Sequence, residues 1–455
     1  YMSGTNNWDG GTNPQIYALN GSDWCNVPFS ESFTNVMPAW LQLKYAHANG
    51  LLSDDIFAVA NILKVMSLHR VSDIYGPLPV LHFGETENPY NSQEECYMHF
   101  FETLDSAIAV LKDVVENNPD AKPLEEVDAL YHGDYSKWLK LANSVKLRLA
   151  MRICYVKPDL AKQYAMEAVR DGVMETADDS ALFQSWGSIT IINPLEKIWN
   201  GYSDTRMGAS MDSYLNGYND PRLPVYFQPV TEGDNKGEYR GVANGMPNPQ
   251  QDDYKAMSAP NVQEKSTDSP LRWMMASEVA FLRAEGAMRG WTAEMGGTAE
   301  EFYNKGIELS FLENGLSADA AARYAADETS KPTDFTDVSA ANTKYNISAL
   351  GKITIKWNAG ASEEEQLERI ITQKWIAMFP NGTEAWSEFR RTGYPLIFPV
   401  RSNYPTSGVD TNKQIRRMVF PQSEYSNNGA AVQEAVKLLG GPDNGGTKLW
   451  WDKKN

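Results

Sequence analysis

Apolar side chains recurring at alternating spacings of four and three constrain this chain most. Tyr97, Phe101, Leu104, Ile108, Leu111 and Val115 form one such stripe, which a helix gathers on a single face and a strand divides between two. Ser92-Gln-Glu-Glu95 precedes it as a capping box: the Ser92 hydroxyl can accept from the third helical amide while Glu95 reaches back to the Ser92 backbone. A long amphipathic helix follows from these two signals together.

The same reading places helices elsewhere. Residues 33–70 read as two helical pieces split at Asn49 and Gly50. A loop rich in Pro and Gly runs from Tyr75 to Asn91, Asp134 caps a helix carrying Trp138, Leu141, Val145 and Leu149, and a shorter helix runs from Pro158 to about Asp171. Ser269-Pro270 predicts a helix start, with Met275, Val279, Leu282 and Gly286 along a helix that ends at Gly290. Ala276, Ala280, Ala284 and Ala287 form its small face, which lets a neighbour approach closely and predicts an antiparallel partner at 302–312. Ser362 to Glu365 reads as a second capping box, ahead of the stripe Leu367, Ile370, Ile371, Trp375 and Met378 that stops before Pro380. A short helix from Trp386 to Arg391 ends at Gly393, and Gln433 to Leu439 forms the last. The expected class is mainly α, with helix pairs of tetratricopeptide type, although no clean period of about 34 residues is present.

Periodicity fails between about Gln184 and Asp268, where Gly, Asn, Pro and aromatic residues dominate. The expectation is one large domain over 1–455, with a helical scaffold at about 33–183 and 269–440 and a loop-rich lobe with short strands at about 184–268. Long irregular segments inside folded domains commonly serve binding.

Aromatic content is 11%, with 13 Trp and 22 Tyr. A flat ring covers the C–H face of a sugar while Asn, Asp, Gln and Arg bind its hydroxyls. Trp8 and Trp24 beside Asn7 and Asn26, and Trp186, Trp199 and Tyr202 beside Asn200, offer that mixture. Rings in loops also pack loop to core, and Tyr218, Tyr226, Tyr239 and Tyr254 of the same lobe share that alternative.

Net charge is −18, which repels nucleic acid and anionic lipid surfaces. Cys25, Cys96 and Cys154 lie far apart without metal spacing and read as buried thiols. His47, His69, His82, His99 and His132 never fall at the i, i+4 spacing of a helical metal pair. Phosphate-loop, nucleophile-elbow and EF-hand patterns are absent. The neighbouring carboxylates Asp54-Asp55, Asp178-Asp179 and Asp252-Asp253 read as caps or solvated faces, since sequence neighbours point apart. No catalytic residue, metal or cofactor is expected; a helical carbohydrate-active enzyme, whose two carboxylates could come from anywhere in the chain, is the alternative from another class. No apolar run reaches the length of a membrane span, and any targeting or lipidation signal is expected upstream of Tyr1.

Several segments, in order along nearly the whole chain, resemble the SusD family of Bacteroidetes. They are His69 to Val80, Ala142 to Arg152, Asn219-Asp-Pro-Arg-Leu-Pro224, Ala276 to Ala287 and, most specifically, Ile371 to Trp386 with Phe389-Arg-Arg-Thr-Gly-Tyr-Pro395. The resemblance implies a lipoprotein on the outer face of the outer membrane, anchored by lipid and seated on a SusC-like, TonB-dependent transporter. It implies an oligosaccharide ligand, or peptides in some branches. These motifs belong to the scaffold, so the resemblance assigns no binding residue.

Overall fold

Helices begin where their capping residues place them in the computed structural model, which describes residues 1–4, 14–18, 23–203, 205–246, 251–261, 269–339 and 344–454. The chain divides into two compact units, one of Leu19–Met174 with Pro405–Asn455, the other of Tyr1–Ala18 with Glu175–Tyr404. The stretch 184–268, expected as a loop-rich lobe, falls in the second of these units together with the helices that follow it.

The first unit holds α1 (Asp23–Glu31), α2 (Met37–Ala48), α3 (Asp54–Tyr75), α4 (Gln93–Asn117), α5 (Tyr135–Arg152), α6 (Pro158–Asp171) and α17 (Gln422–Leu439). Ser92 and Glu95 close the capping box at α4, and the Asp134 carboxylate accepts from the Ser136 and Lys137 amides at α5. α3 packs on α4, α4 on α5 and α5 on α6, a series of helical hairpins. Inside it the buried Asp73 carboxylate accepts from Tyr97 Oη at 2.5 Å and Trp451 Nε1 at 2.8 Å, and pairs with Arg152 at 3.2 Å. α17 starts eleven residues before the expected Gln433, and a non-helical Asn428 interrupts it. Asn427, Asn428 and Gly429 are poor helix formers and hid that first half.

The second unit carries β1 (Met2–Gly4), β2 (Ala181–Phe183), β3 (Thr205–Met207) and β4 (Leu271–Met274). Its helices are α7 (Pro194–Glu196), α8 (Ala209–Gly217), α9 (Leu223–Tyr226), α10 (Gln251–Tyr254), α11 (Ala276–Met288), α12 (Thr292–Met295), α13 (Ala299–Leu312), α14 (Ala318–Ala325), α15 (Glu363–Ala377) and α16 (Gly382–Thr392). β1 pairs antiparallel with β3, and β2 with β4. Pro270 does not open a helix as its sequence predicts, because pairing with β2 draws 271–274 into β4 and α11 starts at Ala276; tertiary pairing overrides local propensity there. α11 and α13 form the expected close pair. The point of closest approach is Gly306, where a Cβ would lie 2.7 Å from the Phe281 ring. At α15 only half of the capping box forms: Ser362 accepts from the Glu365 amide, but the Glu365 carboxylate turns to Arg369 at 2.7 Å.

Buried charges tie α11, α15 and α16 together. Arg391 clasps both Glu285 oxygens at 2.7 and 2.6 Å and also reaches Glu388 at 2.6 Å. Lys374 lies 3.1 Å from Glu388 and 4.0 Å from Glu278, and Arg289 lies 2.8 Å from Glu285. Three cations thus meet three carboxylates. A second cluster joins Asp220, Arg222, Tyr324 and Gln373, with Arg222 held bidentately by Asp220 at 2.9 and 2.7 Å. Around both lies an apolar core that includes Met207, Tyr214, Phe281, Tyr303, Ile307, Ile370 and Phe379.

Burial raises the Glu285 carboxyl, yet Arg391 and Arg289 outweigh it and hold the group at about 2. Its stabilisation is complete above the ordinary value of 4.5 and is lost as pH falls through about 2. Denaturant titrations should therefore show stability dropping across that acid window. Arg391→Met should cost about 3–5 kcal/mol at neutral pH, because it leaves buried carboxylates uncompensated; an unchanged midpoint would contradict that role.

Candidate functional site

The segment between β2 and β3 builds the aromatic surface. It begins with a tight turn: Trp186 and Ile189 exchange backbone hydrogen bonds of 3.0 and 2.9 Å around Gly187 and Ser188. Gly187 has φ +57°, which this first turn position requires and most side chains resist. The Ser185 hydroxyl accepts from the Ile191 amide at 3.1 Å, so both sides of the turn are fixed. Trp186 is thereby displayed with 38% of its surface exposed.

Asn193 anchors the next part. Its side-chain oxygen accepts from the Leu195 amide at 3.1 Å, capping α7, while its nitrogen donates to the Pro270 carbonyl beside β4 at 3.4 Å. A π-helical stretch, Lys197–Tyr202, follows and closes at Ser203 with φ +54°. Such stretches are uncommon and frequent at functional sites. Tyr202 is 41% exposed, with the Lys197 ammonium 5.7 Å from its ring.

Trp199 is half-buried, with the Arg206 guanidinium 4.7 Å from its ring centre. Arg206 donates to the Lys255 carbonyl at 2.7 Å and to the Ser203 and Thr205 carbonyls at 3.0 and 2.9 Å. β3 holds Arg206 in register opposite Ser3 of β1. One face of the Trp199 indole is therefore supported by a fixed cation, a favourable contact in itself.

The structure thus brings Trp186, Trp199 and Tyr202 into one short segment of one unit. Asn26 lies on α1 in the other unit, half-buried, and its side-chain oxygen accepts no hydrogen bond from the described residues. Trp8 lies outside the described residues, and of Trp24 only its backbone place in α1 is described. The lobe tyrosines divide differently. Tyr218, Tyr226 and Tyr254 are buried, and the first two donate to the Ile353 and Ile376 carbonyls at 3.2 and 3.1 Å; they are core.

Sequence reasoning missed the Phe183–Trp273 pair. These half-buried rings stack at 4.8 Å with an interplanar angle of 11° at the start of the same segment. The register between β2 and β4 shifts between Ala181 and Leu182, leaving Trp273 without an opposite residue. A bulge of that kind re-aims a side chain. Trp273 sat inside the run read as a helix, so no pattern marked it.

Other candidates for chemistry resolve locally. His47 meets Asp54 at 2.7 Å, His69 the Val65 carbonyl at 2.8 Å and His82 meets Glu85 at 3.0 Å. Asp55 accepts from Tyr135, and Asp179 caps Thr176. The three cysteines are free and buried, and burial pushes the Cys96 thiol up to about 12. Among the described residues no group of three His, Cys, Asp or Glu could hold a metal, and no helix is long and apolar enough to cross a membrane.

Asn193→Ala should loosen the aromatic segment without unfolding the protein. Losing the cap costs about 1 kcal/mol, so amide exchange over 193–203 should quicken by about fivefold; unaltered exchange would show that Asn193 does not clip the segment.

Comparison with known proteins agrees with this architecture. No curated protein sequence matches. A chitin-binding SusD homologue from Flavobacterium johnsoniae is 40% identical with a TM-score of 0.92, covering 100% of this chain and 92% of its own. A SusD-like protein from Bacteroides thetaiotaomicron is 39% identical with a TM-score of 0.92 and the same coverage. A SusD homologue from Bacteroides vulgatus is 34% identical, also with a TM-score of 0.92, over 100% of this chain and 90% of its own. The model of the SusD-like family, described as SusD and RagB outer membrane lipoprotein, matches residues 1–452. With its buried-charge scaffold, its helical hairpins and that match, the chain belongs to the SusD-like family of outer membrane lipoproteins.

Proposed function

We propose that this protein captures oligosaccharides on the 183–203 segment and passes them, unaltered, to a SusC-like TonB-dependent transporter at the outer face of the outer membrane. The observation that carries the reading is the display of Trp186 and Tyr202, each more than a third exposed, by a turn and a π-helical stretch fixed at both ends. Exposed rings held this firmly lose little entropy on stacking against a sugar. The chitin-binding relative, at 40% identity over the whole chain, makes β-linked N-acetylglucosamine oligomers the first ligands to try.

A capture role fits the disposition of the acidic groups. Asp54 pairs with His47, Asp55 accepts from Tyr135, Asp179 accepts from the Thr176 amide, and Glu285 and Glu388 are held by Arg391. Peptide capture on the same rings is the second reading, since aromatic surfaces also accept peptide side chains.

Calorimetry against chitin oligomers, other glycans and peptides tests the choice. Trp186→Ala and Tyr202→Ala should each weaken glycan binding by about tenfold, equivalent to about 1.4 kcal/mol, with unchanged thermal stability. Tight peptide binding without any glycan binding would reject the sugar assignment, and release of shorter saccharides during incubation would reject simple capture. Co-purification with a SusC-like transporter tests the delivery step.

A further inference from the structure

The face where α2, α3 and α4 meet holds positive charge that nothing in the glycan reading uses. α2 contributes Trp40 and Lys44, α3 contributes Asn61 and Lys64, and α4 contributes His99. Trp40 Nε1 donates to Asn61 Oδ1 at 2.9 Å and so fixes the indole. The Lys64 ammonium lies 4.0 Å from the centre of that ring, and the Lys44 ammonium 5.5 Å from it. Lys64 is 2% exposed and donates to His99 Nε2 at 3.1 Å.

An ammonium has three protons to donate, and His99 takes one. No carboxylate, hydroxyl or carbonyl among the described residues takes the other two. The nearby acidic groups are committed elsewhere: Asp54 to His47, Asp55 to Tyr135, Glu95 to the α4 cap, Asp105 to Lys146 and Asp73 to Arg152. Glu31 holds Asn35, and Glu102 is exposed. Asp54 and Asp55 also sit about 15 Å along α3 from Lys64, given the helical rise. In a chain with 59 acidic and 41 basic residues, two lysines and a histidine converging without a carboxylate is a costly arrangement.

We propose that Lys44, Lys64 and His99 form a recognition site for one small anionic group: a sulfate, a phosphate or the carboxylate of an acidic sugar. The two remaining Lys64 protons supply its inner contacts, and the exposed Lys44 closes over it from α2. Desolvation and an opposed lysine, which make the empty site costly, strengthen attraction for an anion in the same place.

The protonation state of the empty site sets its pH range. Burial, with Lys44 second, brings the Lys64 ammonium down to about 7, and burial with the two lysines brings His99 down to about 4. His99 therefore remains a neutral acceptor at physiological pH, while Lys64 titrates. An anion favours the charged amine, so its affinity should fall by about tenfold for each pH unit above neutrality.

Calorimetry with sodium sulfate and, separately, sodium glucuronate, in chloride of matched ionic strength, tests the site at about pH 6 and about pH 9. The expected result is one saturable site at the lower pH that is at least tenfold weaker at the higher. Lys64→Met should abolish it, and Lys44→Ala, at an exposed position that does not threaten folding, should weaken it by about tenfold. Trp186→Ala should leave it unchanged, which separates this site from glycan capture. Saturation by sulfate alone would assign a free oxyanion, and saturation by glucuronate as well an acidic glycan; both support the site. No saturable binding at the lower pH, or binding that survives both lysine substitutions and therefore reports an adventitious ion only, would overturn it.

Discussion

Arg391 gripping Glu285 and Glu388 is the interaction on which the unit of residues 1–18 and 175–404 depends. Each of these groups is almost wholly buried, so each is tolerable only because the others are present. The geometry follows: Glu285 fixes the rotation of α11, Glu388 and Arg391 that of α16, and Lys374 that of α15. Once those three helices are oriented, Phe281 is delivered to the bare backbone at Gly306 and the apolar core closes around it. A purely hydrophobic interface would tolerate rotation of one helix against another; a cluster of matched charges does not.

The aromatic segment inherits that stiffness at its ends. β4 runs directly into α11, and β2, paired with β4, runs directly into the segment that displays Trp186. The other end is held by β3 on β1, with Arg206 both part of the strand and support for Trp199. Between these anchors the chain consists of a Gly turn, an Asn cap and a π-helical stretch, none of which requires a hydrophobic interior. Recognition placed on loops between rigid elements can vary in sequence without disturbing the charges that set the fold.

This division of labour explains what the sequence disclosed. Long helices such as α4 were legible because stripe and capping box agree, and local and tertiary preferences coincide. The segments that resemble the family carry most of the buried ions: Asp73 and Arg152, Asp220 and Arg222, Glu278 and Glu285, Lys374 and Arg391, with Glu388 just between two of them. β4 was misread because its strand character comes from β2, about ninety residues away, which no local pattern reveals. Trp186, Trp199 and Tyr202 were named as rings beside Asn200 in an aperiodic stretch, and the ring signal of the same stretch also named Tyr218, Tyr226 and Tyr254, which are core. Burial separates the two groups, and burial is a property of the assembled chain. Trp273 escaped notice because its position depends on a shift in strand register.

Hydrogen exchange of the free and glycan-saturated protein, read peptide by peptide, tests the joint claim of a rigid scaffold and a separate capture segment. The account predicts that α11, α15 and α16 exchange most slowly in both states, and that new protection on binding concentrates in residues 183–203. Protection gained chiefly in those three helices, or none in the aromatic segment while glycan is bound, would contradict it.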